Sequence, residues 1–333
     1  MKKISNFTSL KSFLVIQTAW IGDVILATPV IEKLHRFFPE ARIDFLLRKG
    51  NEGLLESHPY IHTLYIWNKK EQKLKHLLQL SKTIRNQRYD AVININRFGS
   101  SGYVTWRSRA KQKIGFDKNP FSLTYTLKVK HEVGNGKHEV ERNLELIQHF
   151  TDTSSEKPKL HIHRHHEEKI KGLKDTPYIC MAPTSVWFTK QLPKEKWLEL
   201  IGNLEKKYRI YLLGSANDKG FCYDLLEKSG SANVKNLCGE LSFLESAALM
   251  KEAVMNYVND SAPLHIASSV NAPCTAFFCS TIPGFGFGPL SDCSVIIETK
   301  ENPECRPCGL HGFKSCPKSH FKCATTIEVP KTI

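Results

Sequence analysis

Apolar positions in the first half of the chain fall into short continuous runs, separated by longer stretches in which they recur every three or four residues. The runs at 12–17, 42–47 and 91–96 predict strands, and the stretches at 24–38 and 74–88 predict helices. Runs without strict alternation suit strands covered on both faces, and the strand–helix–strand order predicts a parallel sheet with helices on either side. The pattern lapses at 151–176, which is rich in charge, Ser, Thr and His. It then resumes with a strand at 178–181, a helix at 194–206, a strand at 209–213, a helix after Asp218 and a mostly apolar, turn-bounded run at 253–258. The expectation is α/β: two doubly wound, Rossmann-like domains at 1–155 and 177–333, joined by a linker at 156–176. Open sheets of this kind take ligands beyond the carboxyl ends of their strands, so the chemistry is expected in loops facing a cleft between the domains.

Composition agrees with two packed cores. A chain of 333 residues is long for one core, and 41% hydrophobic with 24% charged residues excludes a disordered chain. Charge narrows the partners. A net +14 favours anions, whether nucleic acid, anionic lipid or a phosphorylated substrate. The Lys and Arg residues are spread over the whole length without a basic, aromatic-interleaved helix, which argues against nucleic acid. The apolar run at 13–16 is too short for an export signal, Asp23 interrupts the next one, and no 18-residue apolar window follows, so a cytoplasmic location is expected. Ten cysteines then read as reduced thiols or a metal site rather than disulfides.

Three segments carry candidate chemistry. In QTAWIGDV (17–24), a strand ends in a Gly turn and a helix opens, placing Asp23 at the expected cleft beside Gly22. Asp23 suits a general base that accepts a hydroxyl proton, or a plain cap on helix amides. In MAPTSVWFTKQLP (181–193), Thr184 and Ser185 can donate to phosphate oxygens and Lys190 can neutralise a departing diphosphate; the alternative is a polar loop with a solvated lysine. In NDSAPLH (259–265), a helix start offers amides and the Ser261 hydroxyl to an anion, with Asp260 as an ordinary cap and His265 as a helix-face histidine in the other reading. The glycine-aromatic stretch at 283–289 is a loop that touches the sugar or a simple turn.

Two further clusters resemble metal sites in part. Cys305, Cys308, Cys316 and Cys323, with His311 and His320 between them, suit tetrahedral zinc or stand as free thiols. His161, His163, His165 and His166 suit a ligand cluster or a solvated strand. No metal is assigned to either.

GDVILATPV, APTSVWFTKQLP, GSANDKG and NDSAPLHIAS, in this order and spacing, resemble the heptosyltransferases of glycosyltransferase family 9 over nearly the whole chain. The resemblance implies a GT-B fold and an inverting enzyme that uses no metal or other cofactor and passes heptose from ADP-heptose to the lipopolysaccharide inner core. It implies Asp23 as catalytic base, with Thr184, Ser185 and Lys190 on the donor phosphates. Asp260, Ser261, Ala262 and His265 fall in the donor-pocket motif, Asp218 near the donor ribose and Leu241 beside the adenine. Its partners would be a nucleotide sugar, a phosphorylated glycolipid and the anionic inner leaflet, reached peripherally. Ala262-Pro263 departs from the family's more usual Gly followed by an apolar residue. The rival readings are a related transferase using a UDP- or GDP-sugar, and a non-catalytic binder of nucleotides or anionic lipid.

Overall fold

The computed structural model describes residues 10–333, so the basic start of the chain lies outside the described residues. The chain divides into two compact units, Met1–Val133 with Lys137–His161, and Gly134–Gly136 with Ile162–Ile333.

The first unit is built from β1 (Ser12–Ile16), α1 (Ile21–Ile25), α2 (Thr28–Phe37), β2 (Arg42–Arg48), β3 (Thr63–Trp67), α3 (Lys73–Gln87), β4 (Ala91–Asn94), α4 (Gly99–Arg107), β5 (Gln112–Phe116), β6 (Leu127–Val129) and α5 (Glu139–Glu145). All its strand pairs are parallel, in the order β3-β2-β1-β4-β5-β6. The helix expected over 24–38 is broken into α1 and α2 at 26–27. Pro29 lies in the first turn of α2, where its missing N–H and fixed φ suit a helix start but not a helix interior. Leu14 and Ile16 of β1 and Val92 of β4 pack against Leu77 and Ile84 of α3 and Val104 of α4. Gly115 is demanded by closeness: a Cβ there would meet the Tyr125 ring at 2.5 Å.

The second unit follows with α6 (Arg164–Lys169), β7 (Tyr178–Ala182), α7 (Lys194–Leu204), β8 (Arg209–Leu212), α8 (Lys219–Ser229), β9 (Val234–Asn236), α9 (Phe243–Glu252), β10 (Met255–Asn259), α10 (Ala262–Ser269), β11 (Cys274–Phe278), β12 (Ser294–Glu298) and α11 (Lys322–Thr325). Its parallel sheet runs β12-β11-β10-β7-β8-β9. Counted from its own first strand, this is the same order as in the first unit. Trp197, Leu200 and Ile201 of α7 fill the core against Ile179, Met181 and Ile210.

In both units the chain reverses its direction of winding between the first and fourth strands, β1/β4 and β7/β10. The loops leaving those strands part there and open a crevice at the carboxyl edge, where ligands of doubly wound sheets bind. The segment expected as a linker carries α6, and the units divide between His161 and Ile162.

Candidate active site

The chain leaves β1 through residues 17–20, and this turn is fixed from several directions. Gln17 Oε1 accepts from Ala19 N at 3.1 Å and from Asn96 Nδ2 at 2.9 Å. Asn51 Nδ2 donates to the Ala19 carbonyl at 3.2 Å, and Lys69 Nζ to the Thr18 carbonyl at 2.6 Å. Gly22, expected to make the turn, instead lies within α1, its carbonyl accepting from Leu26 N at 2.9 Å. The close turn is made by the buried Gln17 side chain.

Asp23 accepts from Trp20 N at 3.0 Å, a capping contact. That bond does not keep its proton affinity low. Burial pushes the Asp23 carboxyl up to about 6; the Trp20 amide opposes the rise, Glu139 adds to it and Arg97 counters it. A carboxyl poised there can take a proton from a hydroxyl near neutral pH and release it again. Cap and base are therefore compatible roles for one residue.

Three cations border this turn, none of them anticipated from the sequence. The Arg48 guanidinium lies over the Trp20 ring, 4.4 Å from its centre, and within electrostatic reach of Asp23. Lys69 is pushed down to about 8 by burial, with Arg48 and Lys73 adding to the shift. Arg97 follows β4. They leave β2, β3 and β4 respectively, so only the strand order brings them to one place. The available signal was a strand-like run followed within two residues by a basic one, as in FLLRK, YIWNK and ININR.

In the second unit, the loop after β7 carries Thr184 and Ser185, both half-buried, and a single 3-10 turn, Phe188–Lys190. Lys190 is not solvated: its Nζ lies 2.7 Å from Asp260 Oδ2, with both side chains mostly buried. Asp260 also accepts from Thr281 Oγ1 at 2.6 Å. It is therefore not the helix cap; Ser261 holds that position, with extended backbone at φ −156°, and Ala262 and Pro263 form the first residues of α10. Pro263 removes an N–H that helix bonding would not have used. His265 is buried a turn further on.

Asn259 gives this site its shape, and sequence reasoning assigned it no role. Fully buried, it accepts from Leu192 N at 2.9 Å and donates to the Pro183 carbonyl at 2.8 Å. It thus ties the end of β10 to the loop after β7. Thr184, Ser185, Lys190, Asp260, Ser261 and Ala262 accordingly gather around the β7/β10 switch point. Asp218 and the turn before Leu241 lie together beyond β8 and β9. Asp218 Oδ2 accepts from Ser215 N at 2.7 Å, and the Gly239 amide donates to the Gly214 carbonyl at 2.9 Å, bringing the turn before Leu241 against that loop.

The histidine stretch is less exposed than its polarity suggests. His161 Nε2 lies 2.7 Å from Glu32 Oε1 and His166 is buried, because each packs back onto its own unit. Glu32, His58 and His161 are the one group of three His, Cys, Asp or Glu residues, among the described residues, whose ligand atoms lie within 4.8 Å of one another. Lys159 Nζ lies 4.0 Å from Glu32, so Glu32, through His161 and Lys159, pins residues 159–161 to α2. Cys305, Cys308, Cys316, Cys323 and His320 line a cavity of about 350 Å³, with Cys305 Sγ 3.7 Å from His320 Nε2. No helix among the described residues is long and apolar enough to cross a membrane.

Comparison with known proteins bears on this arrangement. The model of glycosyltransferase family 9 (heptosyltransferase) matches residues 77–310. A thioredoxin model matches residues 1–91, a stretch with no cysteine for thiol–disulfide chemistry. The chain is 31% identical to lipopolysaccharide heptosyltransferase 3 of Escherichia coli K12 over 283 residues, 78% of this chain and 80% of that one. The fold is shared with the E. coli ADP-heptose LPS heptosyltransferase II (TM-score 0.76, 20% identity, 93% and 96% of the two chains). It is shared also with E. coli heptosyltransferase WaaC bound to ADP-2-deoxy-2-fluoro heptose (TM-score 0.69, 20% identity, 89% and 95%). With two Rossmann-like units in the GT-B manner, and a family match spanning more than half its length, the chain belongs to glycosyltransferase family 9, the heptosyltransferases.

Proposed function

We propose that this enzyme transfers heptose, with inversion, from ADP-heptose to a hydroxyl of an anionic lipopolysaccharide inner-core acceptor. The first unit is the acceptor domain and the second the donor domain. The observation that carries the reading is Asp23, a carboxyl raised to about 6 beside the β1/β4 switch point and bordered by Arg48, Lys69 and Arg97. Those cations suit the phosphate and carboxylate groups of an inner-core glycolipid, and they leave the carboxyl free to act on a hydroxyl.

Asp23 takes the acceptor hydroxyl proton as that oxygen bonds to the anomeric carbon; the bond from that carbon to the diphosphate oxygen breaks, and ADP departs with the electron pair. Lys190, the amides at the head of α10, and the Thr184 and Ser185 hydroxyls stabilise the charge that develops on the diphosphate. In the resting site Asp260 balances Lys190 at 2.7 Å and holds it in place. One displacement inverts the anomeric centre. The ADP moiety is supported by WaaC solved with ADP-2-deoxy-2-fluoro heptose, and in this reading Asp218 and Leu241 border the ribose and adenine. The acceptor's anionic lipid places the enzyme at the cytoplasmic face of the inner membrane.

The test is calorimetric binding of ADP, UDP and GDP, repeated on Asp260→Ala, alongside release of ADP from ADP-heptose with an inner-core acceptor. Selective ADP binding that the variant loses, with acceptor-dependent ADP release, supports the reading; a preference for UDP or GDP replaces the donor, and no nucleotide binding overturns it.

A further inference from the structure

The positive charge of this protein is concentrated in one stretch of the first unit, although Lys and Arg occur along the whole chain. Residues 67–130 hold fifteen Lys and Arg against three Asp and Glu, a net +12 of the chain's +14. No acidic residue falls between Glu71 and Asp90, or between Asp90 and Asp117. Residues 162–333 hold twenty basic against eighteen acidic residues. Both a gathering of bases, fifteen of the chain's 47 Lys and Arg, and a shortage of acids create the excess charge.

The same stretch exposes large apolar side chains. On α3, Leu77, Ser81 and Ile84 face the core, while Leu74 (71% exposed) and Leu78 (55%) lie to one side of that stripe. Phe98 at the N-cap of α4 (61%), Trp106 on α4 (44%) and Leu123 in the single turn 122–124 after β5 (88%) are exposed as well. Trp106 stacks on Phe121 at 6.1 Å and leans on Tyr103 at 5.9 Å, so Tyr103, Trp106 and Phe121 form a continuous aromatic surface. Helices α3 and α4 pack together, and Arg85 of α3 lies within electrostatic reach of Arg107 and Arg109 with no carboxylate among the three.

Exposed Leu, Phe and Trp, accompanied by Arg85, Arg107 and Arg109, fit the boundary between lipid headgroups and acyl chains. Nucleic acid would use the charge and the rings, but Leu74, Leu78 and Leu123 would gain nothing from base stacking. An acidic protein partner would need its own complementary apolar face. The patch also adjoins the proposed acceptor site. Phe98 caps α4 two residues beyond Asn96, which holds the Asp23 turn, and Lys69, two residues beyond β3, donates to Thr18 in that turn.

We propose that the α3–α4 face of the first unit is a membrane-docking surface for an anionic bilayer, with Leu74, Leu78, Phe98, Trp106 and Leu123 entering the headgroup region. This names the partner surface of the transferase proposed above and rests on that reading only for its purpose. A lipid-linked acceptor drawn from that bilayer would reach Asp23 without the protein leaving the surface.

The test uses the full-length protein with vesicles of phosphatidylcholine alone or with about 30 mol% phosphatidylglycerol, at roughly 0.05 and 0.5 M salt. Expected are sedimentation with the anionic vesicles only, release by salt, and quenching of tryptophan emission by brominated lipid that Trp106→Phe removes. Arg85→Gln with Arg109→Gln should weaken partitioning on the order of 30-fold. Leu78→Gln with Leu123→Gln should weaken it on the order of tenfold, and both pairs should bind ADP as wild type does. Equal binding to both vesicles, wild-type partitioning by either pair, or tighter binding to single-stranded RNA than to anionic vesicles overturns the proposal. Loss of ADP binding by the wild-type protein would instead strike the transferase reading and leave the vesicle result standing.

Discussion

Replacing Asp23 by Asn should make the enzyme more stable and nearly inactive, and the two effects should depend on pH in linked ways. Burial raises the carboxyl from an ordinary 3.8 to about 6, so the folded protein binds this proton more tightly than the unfolded chain does. The sign follows: below about pH 4 both states are protonated and Asp23 costs nothing. As pH rises through 6 the folded state must ionise a crowded carboxyl, and stability falls. A shift of about two units is worth at most about 3 kcal/mol, and solvent on the open side of the carboxyl reduces it to about 1–2 kcal/mol. Asp23→Asn keeps an acceptor for Trp20 N and removes that cost. Urea unfolding should show the variant about 1–2 kcal/mol more stable at pH 7.5 and level with wild type near pH 4. Wild-type kcat/KM should rise about tenfold between pH 5 and pH 7 and then level off, while the variant loses on the order of 10²- to 10⁴-fold. Arg97→Gln, at an exposed position, removes a cation that holds the carboxyl down and should move the midpoint of the profile upward. A variant that is no more stable at neutral pH, or a wild-type profile flat from pH 5 to pH 7, would refute the account of Asp23.

Three other substitutions test separate parts of the structure. Lys190→Ala leaves the mostly buried Asp260 carboxylate without its cation; it should cost about 2–4 kcal/mol in denaturant and weaken ADP binding at least about tenfold by calorimetry. Asn259→Ala removes the tie between the β7 and β10 loops, leaving Leu192 N and the Pro183 carbonyl unsatisfied, and should cost about 2–3 kcal/mol with a fall in kcat measurable as ADP release. His58 is held down to about 3 by burial, so its contribution is complete above about pH 6.5 and is lost as pH falls toward 3; the stability gap between wild type and His58→Asn should shrink by roughly 3 kcal/mol between pH 7.5 and pH 4 in urea unfolding.

The elements legible in the sequence were those whose environment leaves a mark on composition. β1, β4 and β7 are covered on both faces and read as unbroken apolar runs. β3 and β12 lie at sheet edges, half-exposed; their short apolar runs, LYIW and VII, were not distinguished as strands, and the parallel ladder offered by a neighbour is what makes them so. The residues that follow β1, β7 and β10 were identifiable because Gly, Pro, Ser and Asp there break the apolar run. The Arg48, Lys69 and Arg97 group was not, since it depends on which strands are neighbours. Lys190 illustrates the limit from the other side. Its loop position left a phosphate-binding and a solvated lysine both open, and only the partner at 2.7 Å, seventy residues away in sequence, shows it to be held.

The two units share one strand order and differ in electrostatics, which should separate the salt dependence of the two ligands. The second unit is nearly neutral, so the proposed diphosphate site works by local means: one lysine held by Asp260 and the head of α10, at short range and mostly buried. Salt screens interactions longer than about 8 Å at physiological strength and leaves such close contacts largely intact. The first unit carries nearly all the net charge on exposed side chains, whose field reaches beyond that distance only in dilute salt. Raising salt from about 0.05 to 0.5 M should therefore change the ADP dissociation constant less than about threefold, while the apparent KM for a phosphorylated acceptor rises more than about tenfold. Both constants can be taken from one protein preparation by calorimetry and by initial rates. If ADP binding proved as salt-sensitive as acceptor use, the donor would be held by the long-range field rather than by the Lys190 site, and the division of labour between the two sheets would be wrong.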